Sequence, residues 1–289
     1  MPVYKIDHET VYDYTLPVVI SQHLAHLLPR QCERQTWREH TLTIRPEPAI
    51  RQERLDFYGN RPVAFSIEEE HRRFLIKASG TVEVRRTELP KNTPSWETVA
   101  ARLIRPQEED DWAAATYAYP SPLVSFDDAI RQYTVESFTP GQSIFAAAMD
   151  LTTRIYRDFT YAPATTRIGT MPPEILRERR GVCQDFAHLM SAGLRSLGLA
   201  CRYVSGYLLT YPPLGQAKRI GADATHAWVS VYMPPHGWVE FDPTNNLAVG
   251  DEHIVVAWGR DFSDVSPLKG VITGGGPHTV KVAVNVAAV

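Results

Sequence analysis

An α+β fold is predicted by three features of the 289-residue chain. The first ~90 residues hold short runs in which apolar and polar residues alternate, the period of half-buried strands. From Gly141 the apolar spacing changes to three and four, the period of helices packed on a core. The last helical run is followed at once by three more strand-like runs, so helices and strands are segregated along the chain.

Taken in order, "YKIDHETVYDY", "EHTLTIRPEP", "RPVAFSIEEE", "RRFLIKASG" and "TVEVRRTEL" read as strands, most of them bounded by Pro, Gly or Asn. "DFYGNRPVAF" carries a hairpin signal, because Gly59-Asn60 supplies residues that tolerate positive φ. Between Val18 and Pro29, "VVISQHLAHLL" breaks the alternation and suggests a short helical piece. Residues 1–95 are therefore expected to form an antiparallel, sandwich-like domain. Residues 96–140 are rich in Pro and Ser ("YAYPSPLVSF", "FTPGQS") and read as a linker wrapped on the surface, with short helices such as Asp127–Val135. Its aromatics Trp96, Trp112, Tyr117 and Tyr119 are expected to bury themselves as the N-terminal domain folds back and narrows a cleft.

Residues 141–289 are expected to form the second domain. "SIFAAAMDLTTRIYRDF" predicts a helix ending near Tyr161, and "PPEILRERR" a second with Pro172 or Pro173 in its first turn. A third is predicted from Cys183 to about Leu197, with Gly198 just past its end. The strands "ACRYVSGYLL", "HAWVSVYM" and "GWVEFDP" follow, the last two joined by a tight turn at Pro234–Gly237.

Composition excludes several classes. A hydrophobic fraction of 44%, a charged fraction of 22% and a net charge of −3 describe a chain able to bury a core, with no pull toward nucleic acid or an anionic membrane. Arg177, Arg179 and Arg180 are interleaved with Glu174 and Glu178, the pattern of a solvated helix face. The first residues lack the apolar core of a signal peptide, and no run approaches the length of a membrane helix. Cys32, Cys183 and Cys201 form no CxxC and are too few for a disulfide framework, so a cytoplasmic location is expected. His23 and His26 lack a third ligand or an HExxH spacing, and no Gly-rich phosphate loop occurs. No metal, nucleotide or other cofactor is expected, and the oligomeric state is left open.

Cys183 is the candidate nucleophile. Taken alone, a cysteine is more often a small buried hydrophobe. This one opens a predicted helix, where free backbone N–H groups and the positive end of the macrodipole surround the side chain. Helix N-termini and histidine partners favour cysteine thiolates in general, and the same amides suit an oxyanion. A thiolate also needs a base that a third group orients. His226 starts one strand and Asp242 ends the next. Singly, each has an ordinary reading, as a hydrogen-bonded histidine and a turn former before Pro243. Counted from the turn at Pro235-His236, Asp242 lies about six to seven residues away and His226 about nine to ten, so a bulge or flared end is expected to unite them.

"GVCQDFAHL" and "HAWVSVYMPPHGWVEFDPTNN", in the order Cys, His, Asp, resemble the transglutaminase-like cysteine enzyme superfamily. "YDYTLPVVISQHLAHLLPR" and "DFYGN" are similar to the strand-rich domain that precedes this core in bacterial transglutaminase-like proteins. "DEHIVVAWGRDFSDVSPLKG" is similar to the segment that follows it. The resemblance spans nearly the whole chain. It implies a papain-like core with a helix-initial cysteine packed on an antiparallel sheet. It further implies Cys183 as nucleophile, His226 as general base and acid, and Asp242 as the orienting carboxylate, with no triad position substituted. Calcium, which some animal relatives need, is not expected, because no DxDxDG-type loop is present.

Neighbouring residues carry secondary readings. The backbone N–H of Gln184 and the phenol of Tyr161 are candidate oxyanion donors. Asp185 suits the first turn of the helix, and His188 falls on another helix face. Trp228 and Trp238 read as core or as pocket walls, and Arg260 with Asp261 as a substrate-cleft pair or a plain loop salt bridge. Gln184, Asp185, Thr225, Asp223 and the loop Gly215–Gly221 suggest a wet edge at the nucleophile, which favours water as acyl acceptor. The expected activity is a cysteine peptidase or amidase acting on a peptide or protein substrate. A protein-glutamine transglutaminase and a non-catalytic peptide-binding module are the alternatives.

Overall fold

A computed structural model of the chain describes residues 1–163, 169–210 and 225–289. Five strands come first: β1 (Val3–Ala25), β2 (Gln35–Arg45), β3 (Ile50–Glu53), β4 (Val63–Ile67) and β5 (His71–Val84). Then come α1 (Trp96–Ile104), α2 (Glu109–Ala115), α3 (Asp128–Val135), α4 (Ile144–Asp158), β6 (Thr160–Tyr161), α5 (Pro172–Glu178), β7 (Arg180–Gly181) and α6 (Cys183–Ser196). The chain ends with β8 (Cys201–Leu208), β9 (Thr225–Tyr232), β10 (Trp238–Asp242), β11 (Leu247–Ala248), β12 (His253–Gly259), α7 (Phe262–Val265), β13 (Leu268–Gly274) and β14 (His278–Ala288). Among the described residues no helix is long and apolar enough to cross a membrane.

β1 organises the N-terminal sheet. Its 23 residues alternate buried and exposed from Val3 to Thr10, as the period-two pattern requires. Its first half pairs with β5 and β14, and its second half with β4 and β13. The pairing with β5 shifts register between Asp13 and Val18, and the sheet curls around Val18, Leu27, Phe65, Phe74 and Ile76. That curl is the sandwich-like element of the fold. The segment from Val18 is strand and not helix, because its polar residues Gln22 and His23 sit in ladder pairs with β4. The hairpin expected at Gly59-Asn60 is also longer. β3 and β4 pair across residues 54–62, and Asn60 is buried with Asp56, Arg30 and Trp258 as hydrogen-bond partners.

Two expected boundaries move. β13 and β14 come from the far end of the chain yet pair with β1, so the last ~20 residues belong to the N-terminal sheet. Residues 96–140 do more than wrap the surface, because one face of their helices enters the core. α1 buries Val99, Ala100 and Leu103, and α3 buries Ile130 and Tyr133, within the cluster that holds α4 and α6. Tyr117 is buried there, while Trp112 and Tyr119 stay exposed at 63% and 66%, against expectation.

The second sheet has the order β11-β10-β9-β8-β12, all antiparallel. α6 is buried along nearly all of its length and packs against β9 and β8. β12 is an edge strand of this sheet, and the segment after β1 covers it. Gln35 donates to the Val255 carbonyl at 2.6 Å and accepts from its amide at 2.8 Å. The two sheets are thereby joined beside the candidate site.

Candidate active site

α6 starts at Cys183 for local reasons. Val182 is extended, and its amide donates to Asp185 Oδ2 at 2.8 Å, the short reach-back that closes a helix start. Asp185 is 1% exposed and structural. The first bond within the helix runs from the Phe186 amide to the Val182 carbonyl at 3.1 Å, so the amides of Cys183 and Gln184 precede it. Cys183 and Gln184 are both half-buried. β6 lies parallel to β7 with Tyr161 paired to Gly181, which sets Tyr161 beside the helix start. Its side chain is half-exposed, and partial burial followed by the charge of Cys183 raises its phenol above the ordinary range.

No bulge is needed to unite His226 and Asp242. The regular β9–β10 ladder pairs Phe241 with Val229, which puts Asp242 across from Trp228 and one diagonal step from His226 on the same face. His226 Nε2 lies 2.7 Å from Asp242 Oδ2. Burial opposes a charged His226, but its hydrogen bonds to Asp242 and to Cys183 outweigh it and raise its pKa to about 10. With Nε2 engaged by Asp242, Nδ1 is the nitrogen left for the sulfur.

Asp242 is fully buried. Oδ1 accepts from the amides of Thr244 and Asn245, at 2.9 and 3.2 Å, so the turn former and the orienting group are one residue. Oδ2 accepts from His226, from Asn245 Nδ2 at 2.6 Å and from His253 Nε2 at 2.9 Å. Burial alone would push the carboxyl up, yet the bonds from His226 and His253 hold it far below the usual carboxylate range.

The remaining expected positions divide. Trp228 is fully buried, with its Nε1 donating to Glu240 Oε2 at 2.9 Å and its ring 6.0 Å from that of His226. It backs the site and cannot touch substrate. Trp238 packs against Arg202, Tyr117 and Tyr232. Arg260 and Asp261 are not a cleft pair. Arg260 pairs with Asp264 at 3.0 Å, while fully buried Asp261 caps α7 and accepts from the Leu123 amide. His188 accepts from the Phe262 amide at 3.1 Å, away from the triad. Asp223 and Gly215–Gly221 lie outside the described residues. His253 lies in the segment "DEHIVVAWGRDFSDVSPLKG" that carries part of the resemblance, but sequence reasoning gave it no role and missed it.

The ligand-type atoms of His226, Asp242 and His253 lie within 4.8 Å of one another. They are already engaged as two imidazole donors on one carboxylate oxygen, which a cation would have to displace. His23 stacks between Phe65 and Phe74, and His26 meets the Ser266 carbonyl, so these two histidines diverge.

The family model of the bacterial transglutaminase-like N-terminal region matches residues 4–83, and that of the transglutaminase-like superfamily matches residues 131–243. An uncharacterized protein of Mycobacterium tuberculosis is 40% identical over 298 aligned residues, covering 98% of this chain and 92% of its own. A solved structure of a candidate cysteine protease from Cytophaga hutchinsonii covers 99% of this chain and 90% of its own with a TM-score of 0.78. At 21% identity that is a likeness of fold. A protein-glutamine gamma-glutamyltransferase of Pseudomonas aeruginosa is 31% identical over 91 residues, which make up 31% of this chain and 14% of that protein.

Proposed function

The chain belongs to the transglutaminase-like superfamily, and from that premise we propose that it is a cysteine-dependent acyl-transfer enzyme that cleaves peptide or amide bonds. The observation that carries this reading is the continuous link from helix-initial Cys183 through His226 to fully buried Asp242. In the first step the Cys183 thiolate attacks the amide carbonyl carbon. A C–S bond forms, and the carbonyl π pair moves onto oxygen, where the amides of Cys183 and Gln184 receive it. Collapse re-forms the carbonyl and breaks the C–N bond, while the His226 imidazolium gives its proton to the departing nitrogen. Water then attacks the thioester and His226 takes its proton. The C–S bond breaks, releasing the acid and the thiolate. Asp242 keeps the imidazole oriented and stabilises its charged form throughout. Tyr161 is the side-chain candidate for a further contact to the oxyanion or substrate.

Water is favoured as acceptor because neither tryptophan expected to wall an apolar amine tunnel is free to do so. Trp228 is buried behind His226, and Trp238 is packed under Arg202. The named activity of the Pseudomonas relative supports the second reading, transfer to an amine. The test is to incubate the protein with glutamine-containing peptides and a labelled primary amine, following released acid and amine adduct. Acid in excess at millimolar amine supports hydrolysis, and adduct in excess supports transamidation. Neither product above the level of Cys183→Ala would leave a non-catalytic binding module.

A further inference from the structure

We propose that His253 is a positioning residue for this reaction: its Nε2–H holds Oδ2 of Asp242, and Arg34 from the N-terminal sheet region holds the strand end that carries it. The proposal rests on the triad reading given above.

The donor is fixed by its surroundings. His253 is 2% exposed, and its Nδ1 is buried without a hydrogen-bond partner. A proton on Nδ1 would be an orphaned buried donor and would turn a bare Nε2 lone pair toward a carboxylate oxygen. The proton therefore sits on Nε2, which donates to Asp242 Oδ2 at 2.9 Å. That is the same oxygen that meets His226. The imidazole is also set edge-on to the Trp228 indole, 5.1 Å away at an interplanar angle of 80°. Oδ1 is held by amides of its own turn, whereas Oδ2 takes one of its three donors from a strand at the far side of the sheet.

That strand is held from outside its own sheet. Arg34 Nη2 donates to the carbonyls of His253 and Gly250, at 2.9 and 2.6 Å. Its Nη1 pairs with Glu240 Oε2, the atom that also accepts from Trp228. One arginine thus fixes both the backbone of His253 and, through Glu240, the indole against which His226 packs. The N-terminal region serves the site by holding a further donor on the orienting carboxylate.

The test uses the full chain with p-nitrophenyl acetate as acyl donor, comparing wild type, His253→Phe, His253→Gln and Arg34→Gln by kcat, KM and thermal melting. His253→Phe keeps a ring but removes the donor, and its kcat should fall on the order of tenfold to a hundredfold with KM within about twofold. His253→Gln returns an N–H and should recover most of the loss. Arg34→Gln should lower kcat in the same direction by a smaller factor, and it keeps the test open if His253→Phe does not fold. Wild-type kcat in either His253→Phe or Arg34→Gln overturns the proposal. So does a His253→Gln variant as impaired as His253→Phe with melting lowered equally, since that marks a purely structural role. Wild-type turnover no higher than that of Cys183→Ala would instead overturn the acyl-transfer reading beneath it.

Discussion

Gly206 lies directly opposite His226 in the ladder between β8 and β9, and the indole of Trp228 occupies the space where a side chain at Gly206 would stand. A Cβ there would sit 2.5 Å from Trp228 Cη2 and 2.1 Å from the Ile254 carbonyl oxygen. Backbone of β12 cannot yield without moving His253. Gly206→Ala should therefore lose on the order of 2–3 kcal/mol through overpacking, with a fall in melting temperature of several degrees and a larger fall in activity. Thermal denaturation checks it. An unchanged melting temperature would show that β8 and β12 separate freely.

Cys183 should be the one thiol alkylated quickly at neutral pH. Burial raises Cys201 to about 11, and burial together with Glu240 raises Cys32. Both are thereby kept as unreactive thiols. Peptide mapping after brief iodoacetamide treatment reads this directly. Equal labelling of all three cysteines would remove the nucleophile from the reading.

His226 should impose a defined pH window on stability. Its pKa rises from the ordinary 6.5 to about 10, despite the opposing effect of burial, because of Asp242 and Cys183. A raised folded-state value stabilises fully below the unfolded pKa of 6.5, and the contribution is lost as pH rises through about 10. Asp242 has the opposite sign: its contribution is present above the ordinary 3.8 and is lost as pH falls through its depressed value. The melting difference between wild type and His226→Gln should be largest near pH 6 and shrink toward pH 10. A difference that is flat with pH would mean that no ion pair forms.

Asp242→Asn should cost less turnover than Cys183→Ala. It leaves the nucleophile in place but offers His226 an amide that no longer stabilises the imidazolium, a change that costs about 10⁴ in kcat in a serine triad. Cys183→Ala should reduce turnover to background. Equal residual rates in the two variants would mean that Asp242 and Cys183 act as one inseparable unit.

The elements that build the triad are local, and they are legible in sequence. The apolar spacing after Ser143, Pro172 in the first turn of α5 and the turn at Pro234–Gly237 each act within a few residues. What sequence does not reveal is pairing at a distance. β14 alternates like any edge strand, but nothing in it names Tyr4 or Ile6 as neighbours some 280 residues away. His253 has no motif spacing, because its reach to Asp242 comes from the curl of a sheet in which the two strands are not adjacent. Arg260 and Asp261 mislead by adjacency. The partner of Arg260 is Asp264, and Asp261 is spent on a cap. The Pro and Ser content around α1 likewise hides a buried stripe of Val99, Ala100 and Leu103.

The return of β13 and β14 to the first sheet bears on whether residues 96–289 can stand alone. In the full chain Tyr4, Ile6, Val82 and Val84 from β1 and β5 join Val284 and Val286 from β14 in the main core with α4 and α6. Removing residues 1–95 would uncover Val284 and Val286, strip both strands of their ladder partner β1, and expose the edge of β12 that Gln35 now covers. Unpaired strand edges of that kind template aggregation. The truncated chain should be insoluble or should melt without a cooperative transition, and it should lose activity even though Cys183, His226 and Asp242 are all present. Expression of residues 96–289, with gel filtration and a thermal melt, gives the answer. A soluble, cooperatively melting fragment with wild-type turnover would mean that the first sheet contributes nothing to the second.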